Sequence, residues 1–174
     1  MDTLNLHPII TPLFIIWNVL YISSYWQKSR EGHLLFKAAA NFFVITAMAM
    51  SDLWTGAAVS SVSFVSKLLA IYGYKRFSTP TKILVVFAAF AAALYLQGIP
   101  PRVLDALPLA AFLYGRIVGQ FVSNQYIRVA SLPVQGFYMA YFASAGRLDA
   151  LILESINLVA NIYTWKTRRH LLDD

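Results

Sequence analysis

The chain has 174 residues, 59% of them hydrophobic and only 13% charged, with a formal net charge of +6 and a mean hydropathy of +0.59. A soluble domain is about 45–50% apolar and about 25% charged, so too few charges are present to cover a water-facing surface, and a soluble globular domain is not expected. There is no cysteine, which removes disulfides, thiolate metal sites and Cys nucleophiles; the basic residues punctuate apolar runs instead of forming a patch, so no nucleic-acid partner is expected.

Residues 1–7 contain no Lys or Arg. The positive start of a signal peptide is missing, so the first apolar segment is expected to be retained. Seven apolar runs follow. The first, 8–26, is closed by Gln27-Lys28-Ser29-Arg30, and the second, 33–50, by Ser51-Asp52. The third, 53–74, ends at Lys75-Arg76, and the short fourth, 83–96, before Gly98 and Pro100-Pro101. The fifth, 103–122, precedes Ser123-Asn124-Gln125. The sixth, 126–144, ends at Ala145-Gly146-Arg147, and the seventh, 148–165, at Lys166. Most approach the ~20 residues that cross a hydrocarbon core, and none alternates with the period of a strand. The expected fold class is all-α: a polytopic membrane protein of seven transmembrane helices.

Loop charges orient it. With the N-terminus outside, the inner side receives Lys28, Arg30, Lys75, Arg76, Lys82, Arg128, Lys166, Arg168 and Arg169, and the outer side only Arg102 and Arg147. That bias is the positive-inside signature, and it requires an odd number of spans. Tyr25, Trp26, Trp54, Tyr72, Tyr74, Tyr126 and Trp165 stand near run ends, as interfacial aromatics do.

The third run ends Ile71-Tyr72-Gly73-Tyr74-Lys75 and the seventh Ile162-Tyr163-Thr164-Trp165-Lys166, which align without a gap 91 positions apart. Three helices end at each, and one is left between them. This predicts two parallel three-helix repeats, 1–79 and 102–174, joined by a linker helix over 80–101 within one membrane domain. Two aromatic-basic stop signals would produce the same local match without a repeat.

The 3+1+3 plan resembles the SWEET and PnuC-like (PQ-loop type) transporters. Ile71-Tyr72-Gly73-Tyr74 is similar to the Ile-Tyr-Gly-Trp end of the third helix in PnuC-like halves, and Pro133 with Gln135 resembles the hinge of PQ-loop proteins. Most of the chain also resembles the YgjV-type bacterial inner-membrane family, through Gly146, Glu154 and Asn161 at matching intervals and through the basic turn Gln27-Lys28-Ser29-Arg30. The resemblance implies a bacterial inner-membrane location and a substrate path between the halves.

Ionisable groups inside spans cost about 2.5–3.5 kcal/mol at the centre on insertion scales. Lys37 is one turn into its helix and can snorkel to the headgroups, and Lys67 is two turns from its helix end. At 1.5 Å per residue, Arg116 lies roughly 20 Å and Glu154 roughly 9 Å below the outer boundary, a separation that leaves room for water or solute between them. Asn18, Asn41, Gln135, Asn157 and Asn161 fall roughly 12–20 Å from the same boundary. Amides at one depth on four helices are what a midplane site requires; alternatively they join helices at about 0.6–2 kcal/mol each. Glu154, Asn157 and Asn161 form a stripe at i, i+3 and i+7, which has to face the bundle. Trp17, next to Asn18, could stack a planar ligand or simply pack, and Pro133 marks a candidate bend. His7, His33 and His170 lie at helix ends or tails, and no phosphate-binding glycine loop appears, so no enzyme activity, metal or other cofactor is expected.

The expected function is transport or facilitated passage of a small polar solute across the lipid bilayer. Glu154, Asn157, Asn161, Arg116, Asn18, Asn41, Gln135 and Trp17 would bind the solute, and Glu154 would carry the proton if one is coupled. Three alternatives remain open: a non-transporting structural or assembly protein, a channel, and a PnuC-type carrier of nicotinamide riboside. Assembly into a homo-oligomer also remains open.

Overall fold

The computed structural model describes residues 8–27, 29–72, 88, 95, 106–121 and 131–168. Among these residues there are six helices and no strand: α1 (Ile10–Ser24), α2 (Arg30–Ala49), α3 (Trp54–Tyr72), α4 (Ala106–Phe121), α5 (Leu132–Ser144) and α6 (Leu148–Arg168). The all-α class expected from the sequence is the class observed. The fourth run, the expected linker 80–101 apart from Ala88 and Tyr95, and the basic C-terminal tail lie outside the described residues.

One described helix, Glu31–Ala49 within α2, is long and apolar enough to cross a membrane; Ile10–Ser24 and Ala106–Gly115 are shorter apolar helices. The arithmetic explains part of this. The 15 residues of α1 rise about 22 Å, short of the ~30 Å hydrocarbon core. α6 has 21 residues, but Glu154, Asn157 and Asn161 interrupt its apolar character.

Two tight turns organise one end of the molecule. After α5, the amide of Gly146 donates to Ala143 O at 3.1 Å and that of Arg147 to Phe142 O at 2.9 Å, the paired closure of a Schellman turn. Gly146 has φ +68°, a left-handed conformation that a Cβ would disfavour. After α2, Asp52 donates to Ala49 O at 3.3 Å and Leu53 to Met48 O at 2.9 Å, with Asp52 itself at φ +55°. Asp tolerates that region better than most side chains. Both turns fold a helix back on its predecessor within a few residues, and both lie at the same end.

At the other end Ser29 caps α2, its hydroxyl accepting from Gly32 N at 3.1 Å. His33 Nδ1 donates to Ser24 O at 2.7 Å, tying the start of α2 to the end of α1. Pro133 was expected within the sixth helix as a bend. Instead it occupies the first turn of α5, whose N-cap is Ser131. A proline there meets no preceding carbonyl and its missing N–H costs nothing, so it begins the helix without bending it.

The helices pack as a closed ring: α1 on α2, α2 on α3, α3 on α4, α4 on α5, α5 on α6, and α6 back on α1. At the end bearing the two turns the ring is filled by Phe14, Trp17, Ala47, Met48, Ala57, Tyr141, Phe142 and Ala150, all buried in one cluster. Ring contacts among Phe14, Trp17 and Phe142 are edge-on, with centroids 5.8–6.4 Å apart, the geometry aromatic quadrupoles favour. A Cβ on Gly56 would stand 2.8 Å from Met48 Sδ and 2.9 Å from Tyr141 Cε1. The absent side chain leaves that space to the Tyr141 ring of α5 and the Met48 side chain of α2.

Candidate functional site

Below the aromatic layer the interior turns polar. The inward stripe of α1 runs Phe14, Trp17, Asn18, Tyr21, Tyr25, stepping by three or four residues and so keeping to one face. Asn18 is buried and its Nδ2 donates to Leu153 O of α6 at 2.6 Å. The Tyr25 hydroxyl, one helical end lower, accepts from Gln135 Nε2 of α5 at 3.3 Å. Gln135 Oε1 in turn accepts from Asn161 Nδ2 of α6 at 3.0 Å, and Asn161 Nδ2 also reaches Ser131 Oγ at 2.9 Å. A continuous chain of side-chain hydrogen bonds therefore joins α1, α5 and α6.

One turn closer to the aromatic layer, Asn157 Nδ2 donates to Glu154 Oε2 at 3.2 Å. Glu154 is 4% exposed and Asn157 is fully covered, yet Asn157 Oδ1 has no hydrogen-bond partner. Tyr21, Tyr25 and Tyr138 all lie within electrostatic range of the Glu154 carboxylate. The Tyr138 hydroxyl faces Ser60 of α3, which carries the polar layer across the ring.

The sequence-selected residues distribute as follows. Glu154, Asn157, Asn161, Gln135 and Asn18 come together in the interior between α1, α5 and α6. Asn41 is buried but serves a different joint, donating to Ser60 O between α2 and α3 at 3.2 Å. Trp17 is 6% exposed and enclosed by Phe14, Tyr21 and Phe142. Its ring belongs to the aromatic layer and is not offered to a planar ligand. Arg116 lies on α4, and its side chain falls outside the described residues.

Lys37 stands on the face of α2 turned towards α1. It was expected to snorkel toward headgroups. Instead its Nζ stands over the rings of Tyr21 at 5.0 Å and Tyr25 at 5.4 Å, inside the α1–α2 interface and within electrostatic range of Glu154. His33 was correctly placed at a helix end but is buried. A signal for both was present: His33, Lys37 and Asn41 recur at i, i+4 and i+8, one face of α2.

A second polar cluster closes the opposite end. Arg147 Nε and a terminal guanidinium nitrogen donate to Asp149 at 3.0 and 2.6 Å. Thr11 Oγ1 of α1 donates to the same carboxylate at 3.0 Å, and the Arg147 guanidinium lies 5.4 Å from the Phe14 ring centroid. This latch sits directly above the aromatic layer. Comparison of the chain with protein-family models, curated proteins and solved structures returns no match.

Proposed function

We propose that the chain is a seven-helix membrane protein of 3+1+3 plan that carries a small polar solute through the interior of the helix ring. The observation that supports this most is the inside-out distribution of side chains, clearest on α6. There Glu154, Asn157, Asn161 and Thr164 are buried, while Ile152, Ile156, Val159 and Tyr163 are exposed, Val159 at 66%. The same holds around the ring: Ile15, Val19, Leu35, Phe42 and Val65 point outward. Water would reverse that order, and a hydrocarbon solvent accounts for it.

The helix directions favour the linker. α3 begins at the α2–α3 turn, and α4 begins at the same end, where Leu107 packs on the aromatic cluster. The chain therefore has to return once between them, which is what a single linker helix supplies. With three helices in each repeat this makes seven spans, N-terminus outside and C-terminus in the cytoplasm, in keeping with the resemblance to SWEET, PnuC-like and YgjV-type inner-membrane proteins. In this reading the latch and the aromatic layer close the outer side, and Glu154, Asn157, Asn161, Gln135 and Asn18 receive the solute beneath them.

Thermal-shift screening of the purified protein against nucleosides, vitamins and sugars, followed by uptake into proteoliposomes, tests the reading. A solute that stabilises the protein and is taken up by wild-type vesicles, with uptake lost in the Glu154→Gln variant, is the expected result. A Glu154→Gln variant that folds, binds and transports as wild type does would leave only a structural role for the polar layer.

A further inference from the structure

We propose that α1 is a lever: its outer end, latched to α6 through Thr11 and Asp149, swings away about an inner pivot at Ser24 and His33 and opens the interior. The inference rests on the reading of that interior as a solute path and names the element that uncovers it.

The polar contacts of α1 differ between its two ends. At the inner end His33 Nδ1 of α2 donates to Ser24 O at 2.7 Å. The Lys37 ammonium, also on α2, stands over the Tyr21 and Tyr25 rings at 5.0 and 5.4 Å. Gln135 Nε2 of α5 donates to the Tyr25 hydroxyl. All of these fall within one turn of Ser24. The outer end is held to α6 by the Thr11 hydroxyl, which donates to Asp149 at 3.0 Å.

Asp149 makes that bond releasable. Its carboxylate also accepts from Arg147 at 3.0 and 2.6 Å and from Ala150 N at 2.9 Å, all within its own turn. When Thr11 leaves, the carboxylate keeps its guanidinium, so the departure of α1 strands no ion, the outcome that would be costly. Thr11 itself carries only a neutral hydroxyl, which water satisfies as well as a side chain does.

Opening also gives the interior something that the closed ring withholds. Asn18 Nδ2 spans the α1–α6 seam to Leu153 O at 2.6 Å, and Asn157 follows Leu153 by four residues on the same side of α6. Asn157 Oδ1 is fully covered and has no donor, a condition buried acceptors ordinarily avoid. Water entering at Asn18 replaces the broken seam bond and reaches that oxygen. Along α1, Asn18, Ile15 and Thr11 stand about 9, 13.5 and 19.5 Å from Ser24. For a rigid helix, a gap of about 3 Å at Asn18, one water wide, means about 4–5 Å at Ile15 and about 6–7 Å at Thr11.

The test is pulsed electron–electron distance measurement on the purified full chain in lipid nanodiscs, with spin labels on introduced cysteines; the chain has none of its own. One pair, Ile15→Cys with Ile152→Cys, reports the outer end, and Trp26→Cys with Tyr163→Cys reports the inner end; all four positions are exposed. Adding Thr11→Val should give the outer pair a second population about 4–5 Å longer and leave the inner pair unchanged. Thr11→Ser keeps the hydroxyl and should match wild type. An outer distance unmoved by Thr11→Val, or an equal shift in the inner pair, overturns the lever. Solute uptake by a chain whose outer distance ignores Thr11→Val removes the lever and leaves the transport reading intact. A latch-dependent outer shift in a chain that takes up no solute upholds the lever and removes the transport reading.

Discussion

Replacing Gln135 by Leu asks whether the hydrogen-bond chain through the interior stabilises the ring. Gln135 is 2% exposed, and its amide makes one bond at 3.3 Å to Tyr25 and one at 3.0 Å to Asn161. Interhelical side-chain bonds in membrane proteins average about 0.6 kcal/mol with a maximum near 1.7. The longer Tyr25 bond belongs near the lower figure and the Asn161 bond between the two. Asn161 keeps Ser131 Oγ at 2.9 Å as an acceptor, which limits the further penalty for a donor left without a partner. The expected loss is therefore about 1–2 kcal/mol. Reversible SDS unfolding in mixed micelles, followed by circular dichroism, measures it. In a double-mutant cycle with Asn161→Leu the coupling should be about 0.6–1.7 kcal/mol. A Gln135→Leu variant within about 0.3 kcal/mol of wild type, with an additive cycle, would refute the bonded chain.

The glycines of the ring make opposite predictions. Gly56→Ala should lose about 1–3 kcal/mol, because its Cβ meets Tyr141 and Met48 below 3.0 Å. Gly136→Ala, with nothing within 4 Å, should gain about 0.5–1 kcal/mol from helix propensity. Equal effects in the same unfolding assay would mean that Tyr141 and Met48 do not pack against Gly56. Reporter fusions should place Asp2 outside and Asp174 in the cytoplasm, as the loop charges require; both ends reporting one side would remove the odd number of spans.

The polar stripe of α6 could be read from sequence because three costly side chains share one helical face, and that face is the buried one. The second helix offered the same kind of stripe in His33, Lys37 and Asn41. There a snorkelling lysine near a helix end gave depth without direction, and depth alone cannot distinguish headgroup from interior. The role of Pro133 depended on where the helix began, a boundary that the apolar run does not mark. Trp17 was ambiguous for a different reason. Its neighbours Phe14 and Tyr21 are sequence-local and predictable, but the contact that encloses it, Phe142 on α5, comes from tertiary packing.

If the chain spans a bilayer as proposed, the Gly146 turn has a consequence for how it gets there. A lone α6 would expose Glu154, Asn157 and Asn161 to lipid, each without the partner it has in the folded ring. α5 carries Gln135, the acceptor for Asn161, and is joined to α6 by a turn too short for the two to separate. On the membrane reading proposed above, the C-terminal segment would insert as a hairpin, with the left-handed glycine between α5 and α6 making the pair one unit of biogenesis.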